Sequence, residues 1–190
     1  MKKILLISAV TLGYALLSTS CIKTNFKKEI AQVDSLQLIL TSHNLSIDTI
    51  NVVFFDSVAK HSKAILEELH EYYDTRGEEL ALEDGIAFGN FKAVKKGVKN
   101  FPERLENIKK ELNYSQTQLS ALKHDMEESA IEKDLAKTYF EEEKHAIDIL
   151  SKEISSLVEG LSFAAARYDK MLPEIKQKME KVGIADSIAW

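Results

Sequence analysis

The chain has 190 residues, 45% apolar and 29% charged, with only 7 Gly and 2 Pro. That mixture suits long helices in a single domain and is poor in the residues that tight turns need. A net charge of -5 excludes the basic footprint of a nucleic-acid binder, and a single cysteine excludes both an intramolecular disulfide and a cysteine-built zinc site.

Met1-Lys2-Lys3 is a short basic start. Ile4 to Leu17 is apolar, interrupted only by Ser8, Thr11, Gly13 and Tyr14, and Ser18-Thr19-Ser20 are small. Basic, apolar and small residues in that order are the pattern of a secretory signal. The apolar run falls short of the ~20 residues that a membrane-spanning helix needs. The small residues end directly at Cys21. This segment resembles a bacterial lipoprotein signal, with one departure: Ser18 stands three before the cysteine, where Leu is usual, and Leu17 comes one step earlier. The resemblance covers residues 1–21 alone. It implies cleavage before Cys21 and attachment of a diacylglyceryl group to its sulfur. Ile22 follows the cysteine, where Asp would imply retention in the inner membrane, and no acidic cluster comes next. The expected location is therefore the outer membrane, facing the periplasm. Residues 1–20 read as the signal, 21–28 as lipidated cysteine and tether, and 29–190 as one helical domain. Lys23, Lys27 and Lys28 lie where they can meet anionic headgroups.

Beyond the tether the pattern is helical almost throughout. A first helix is expected from about Phe26 to Ser42, with Ile30, Val33, Leu36 and Leu40 on its apolar stripe. His43-Asn44-Leu45-Ser46 breaks it, and Ser46 or Asp48 can cap a second helix reaching about Thr75. The apolar series of that helix is Val52, Phe55, Ala59, Leu66, Leu69 and Tyr73, with Ser62 as a polar interruption. Gly77 suits a left-handed cap after it. Gly85, Gly89 and Gly97 weaken the next stretch, which reads as a short helix from Phe88 to Asn100 behind a looser segment. Pro102 fits a first helical position.

The second half carries the clearest periodicity. Leu105, Ile108, Leu112, Ser115, Leu119, Leu122 and Met126 recur by threes and fours. After a break near Ser129, so do Phe140, Glu143, Ile147, Leu150, Ile154, Leu157, Leu161, Ala164, Tyr168, Met171 and Ile175. Such heptads predict a coiled-coil hairpin of two antiparallel helices. The longer, from about Ile131 to Lys176, would reach roughly 65 Å, with Pro173 kinking or ending it. The fold class expected is all-α: an elongated helical bundle with a long antiparallel coiled-coil hairpin in the C-terminal half.

Two Glu-x-x-His pairs stand out, Glu67/His70 and Glu142/His145. Each places a carboxylate and an imidazole one turn apart on a helix, and the spacing is similar to that of ferritin-like di-iron bundles. Counting from the heptads sets Glu142 and His145 opposite the seam, and Glu67 beside Lys63, Glu71 and Asp74, so the expectation is no metal and no cofactor. His43, His61 and His124 read as surface residues. Gly85-Ile86-Ala87-Phe88-Gly89 lacks the lysine and preceding strand of a phosphate loop. Phe54, Phe55, Tyr72, Tyr73, Phe88, Phe91 and Phe101 form either the thick end of the bundle or the lining of a groove. Trp190, after Ile184, Ile188 and Ala189, can dock on the core or on a partner.

With no catalytic constellation, the expected role is a lipid-anchored, non-enzymatic envelope protein that binds, spaces or scaffolds. Its partners would be the membrane and an envelope or cell-wall component, with self-association through exposed heptads. The alternatives are a di-iron-like metal bundle using Glu67, His70, Glu142 and His145, or a binder of small apolar ligands near Phe88–Phe101.

Overall fold

The computed structural model describes residues 25–76 and 81–188, and within them every long element is a helix. Cys21, Gly77 and Trp190 fall outside the described residues. The helices are α1 (Lys27–Asp48), α2 (Val52–Arg76), α3 (Leu82–Gly97), α4 (Phe101–Glu127) and α5 (Lys133–Lys181), followed by a 3-10 turn at Ala185–Ser187. The fold is an all-α bundle. Its spine is the 49-residue α5, roughly 73 Å long.

Polar pairs between helices fix the directions. Asp34 meets Lys123 at 2.6 Å and Asp48 meets Lys109 at 3.4 Å, so α1 runs antiparallel to α4. Glu29 meets Lys133 at 3.5 Å and His43 meets Ser151 at 2.8 Å, so α1 runs parallel to α5. Asp84 meets Lys178 at 2.6 Å, while Gly97 lies against Ala164, so α3 is antiparallel to α5. Two three-helix bundles thus share the spine: α1 and α4 flank its first half, and α2 and α3 its second. Helices α1 and α2 are bent by 54° relative to each other. Level with that bend, α3 gives way to α4 through Asn100, whose φ of 56° is left-handed. Rings of Phe55 and Phe101 meet there at 5.9 Å.

The core follows the expected seam in α4 and α5. Leu105, Ile108, Leu112, Ser115, Leu119, Leu122 and Met126 are all buried, as are the seam positions of α5 except Glu143. Burying such side chains contributes about 1.5–3 kcal/mol each before entropy is charged against it. Pro102 occupies the first turn of α4.

Several boundaries differ from expectation. The first helix does not break at His43–Ser46 but continues to Asp48, because Ile47 is buried in the core and His43 has a partner on α5. The cap of α2 is Asn51, whose Oδ1 accepts from the amide of Phe54 at 3.0 Å, not Ser46 or Asp48. The buried line of α2 is Val58, Ser62, Ile65 and Leu69, while Val52 is exposed. Ser62 tolerates this position by donating to the carbonyl of Val58 at 2.6 Å. Helix α3 starts at Leu82, six residues early, with Glu83 and Asp84 complementing its N-terminus. Helix α5 passes through Pro173 and ends at Lys181. Pro173 is exposed, so the carbonyl it leaves unpaired one turn back faces water.

The C-terminal ends of α4 and α5 are both closed by left-handed residues. After α5, Gly183 adopts φ 76°, its amide bonds to Glu180, and the amide of Ile184 bonds to Met179 at 3.0 Å. That is a Schellman closure. After α4 the same pair of bonds runs from Ser129 to Met126 and from Ala130 to Asp125, with Ser129 at φ 53°.

Candidate functional site

Two clefts of the second bundle combine an apolar lining with polar groups at the edge. The first lies between α2 and α3 and measures about 640 Å³. Leu66, Leu69 and Tyr73 supply one wall, and Gly85, Phe88 and Gly89 the other. Leu69 and Phe88 form a buried floor, and the Tyr73 and Phe88 rings stand 6.1 Å apart. Charged groups occupy the rim: Glu67 and His70 from α2, Lys92 and Lys95 from α3.

The second cleft, about 900 Å³, lies between α2 and α5 and is bounded by the C-terminal turn. Val53, Ala64, Leu172, Pro173 and Ile188 supply its apolar lining. At its base Nδ1 of His61 is hydrogen-bonded to the hydroxyl of Tyr168. Burial pushes the imidazole below its ordinary value, while burial and then the nearby Asp169 push the phenol up. Both shifts favour neutral forms, so the cleft holds an uncharged donor–acceptor pair. Asp56 at its edge is taken up by Lys60 at 2.6 Å.

His43 is likewise a structural histidine. The Ser151 hydroxyl donates to the carbonyl of Ile147 at 2.7 Å, so it accepts from Nε2–H of His43. Burial lowers the pKa of this imidazole too. The sequence reading of His43 and His61 as surface residues is therefore corrected: both are half-buried and partnered, while His124 is exposed. Their partners lie more than a hundred residues away in sequence, and no local pattern pointed to them.

The two Glu-x-x-His pairs are not brought together. Glu142 precedes Tyr168 by about seven turns of α5, roughly 39 Å. Glu67 and His70 lie beyond His61, which is level with Tyr168, so they sit farther away still. All four residues are exposed. Glu67 pairs with Lys63 at 3.8 Å and His70 with Asp74 at 3.4 Å. Glu142 and His145 line a shallow depression with Asp134, Lys137, Thr138 and Glu141. The four residues cannot share one ion, and among the described residues no cluster of three or more His, Cys, Asp or Glu is placed to hold a metal.

The aromatic residues divide. Phe91 and Phe101 are fully buried in the core, whereas Phe88 and Tyr73 face the α2–α3 groove. No protein-family model, no curated protein and no solved structure matches the chain.

Proposed function

We propose that the protein is a lipid-anchored, non-enzymatic envelope protein that holds a binding surface away from the membrane. Cys21 is the attachment point, and the α4–α5 hairpin acts as a coiled-coil stem. The observation that carries this reading is where the tether meets the bundle. Helix α1 starts at Lys27, six residues after Cys21, and Glu29 pairs with Lys133 at the first turn of α5. The tether therefore leads into the end that carries the α4–α5 turn, and both clefts lie in the other half of the spine. Two or three acyl chains, at ~0.8 kcal/mol per buried CH₂, hold such a protein firmly. The partner engaged at the far end is an envelope or cell-wall component.

The test is Cys21→Ser, followed by fatty-acid labelling and membrane fractionation. The expected outcome is loss of label and accumulation of an uncleaved or mislocalised precursor. A variant that still matures and stays in the membrane sinks the reading.

A further inference from the structure

We propose that the α2–α3 groove binds a single-chain amphiphile with an anionic headgroup, its chain over the Leu66–Leu69–Phe88–Tyr73 floor and its head at Lys92 and Lys95. This site stands whether or not Cys21 carries a lipid.

The glycines give the first argument. A helix-interior glycine weakens a helix by ~1 kcal/mol relative to Ala, so its presence needs a reason. At Gly97, the last residue of α3, the reason is packing: an added Cβ would sit 2.9 Å from the Cβ of Ala164 and 3.2 Å from the carbonyl oxygen of Gly160. At Gly89 no such reason exists, because an added Cβ would meet nothing within 4 Å. What Gly89 does is leave the groove open between Phe88 and Lys92. The groove volume lies within the ~300–1,000 Å³ of small-molecule sites, and its apolar floor with a few polar groups at one end matches their usual lining.

Charge selects the headgroup. Of the four charged or titratable rim residues, Glu67 is held by Lys63 and His70 by Asp74. Neither Lys92 nor Lys95 has an ion pair with a described residue. They lie together near the Leu66 end of the groove, while Tyr73 and Gly85 mark the other end. Along α3 from Gly85 to Lys95 the strip is roughly 15 Å long. An extended acyl chain lies along that strip with its anionic end at Lys92 and Lys95.

The test is photo-crosslinking to the purified full chain. The probes are a diazirine-bearing decanoate, a lysophosphatidylglycerol with the same acyl chain, and the neutral monodecanoylglycerol. The anionic probes should label α2 and α3 saturably, and the neutral one at least tenfold less. Labelling by decanoate alone assigns a free carboxylate, and labelling by the lysophospholipid a phospholipid headgroup; either supports the site. Lys92→Glu with Lys95→Glu should weaken labelling at least tenfold. Gly89→Met should abolish it without lowering the melting temperature, which separates groove filling from unfolding. Equal labelling by the neutral probe, labelling unchanged by Gly89→Met, or no enrichment at α2 and α3 overturns the proposal.

Discussion

The two halves of α5 are packed by different means. Along its first half, α1 and α4 meet it with aliphatic side chains at regular spacing, and charged pairs such as Asp34–Lys123 and Asp48–Lys109 bridge the flanking helices. Along its second half, α2 and α3 meet it with aromatic rings, a glycine crossing and the His61–Tyr168 bond. Side chains of similar size on a regular repeat interdigitate and leave little space. Large rings beside Gly85 and Gly89 line the α2–α3 groove, and the His61 and Tyr168 rings line the cleft between α2 and α5. Regular packing marks the first half, and irregular packing the half that carries the clefts.

The sharpest way to break this contrast is at the crossing of α3 and α5. Gly97→Ala should destabilise the fold by about 1–3 kcal/mol, because the new methyl meets Ala164 and a backbone carbonyl that cannot step aside. Gly160→Ala, one residue away across the same contact, meets only the Gly97 carbonyl at 3.9 Å and should stabilise by up to ~1 kcal/mol through helix propensity. Denaturant melts of both variants read the difference. Equal effects would show that the crossing is not held by glycine.

Next in size is the one flaw in the regular half. Glu143 occupies a seam position, and its Oε2 is buried without a hydrogen-bond partner among the described residues. Burial and then Glu142 raise its carboxyl above the ordinary 4.5. The folded state holds that proton more tightly than the unfolded state, so stability is full below about pH 4.5 and is lost as the pH rises through the raised value. Glu143→Gln should therefore stabilise by on the order of 1 kcal/mol at pH 7 and by nothing at pH 4. The irregular half behaves oppositely. His61 is lowered from 6.5 by burial, so its contribution is present above that pH and is lost on acidification below it. A gain for Glu143→Gln that persists at pH 4 would remove the ionisation argument.

The smallest expected effect lies in the turn between α4 and α5. Ser129→Gly should stabilise by about 0.5–1 kcal/mol, since only the left-handed conformation is at issue. A thermal melt that shows no rise would mean that the Ser129 side chain contributes there.

The regular half was legible in the sequence because its heptads are long and its interruptions few. Leu105 to Met126 and Phe140 to Ile175 are buried as the spacing predicted, apart from Glu143. Two misread points are alike. His43 and Pro173 carry local breaking signals that a distant partner and solvent exposure neutralise. Ser62 looked like an interruption because its bond to the Val58 carbonyl is invisible in a hydropathy pattern. The groove was legible only as a surplus of aromatic residues. Its shape depends on how α2 sits against α3, and spacing along one helix does not encode that. Glu67 and His70 were correctly singled out as neighbours, yet their place is the groove rim, far from Glu142 and His145.

The breaks between α1 and α2 and between α3 and α4 fall at nearly the same level. Among the described helices, α5 alone crosses that level unbroken. A sideways force on the far bundle is therefore borne in bending by one helix, near Gly160, while the flanking helices resist only by sliding. Stiffness of the whole body is set locally, over two or three turns of α5 at that waist.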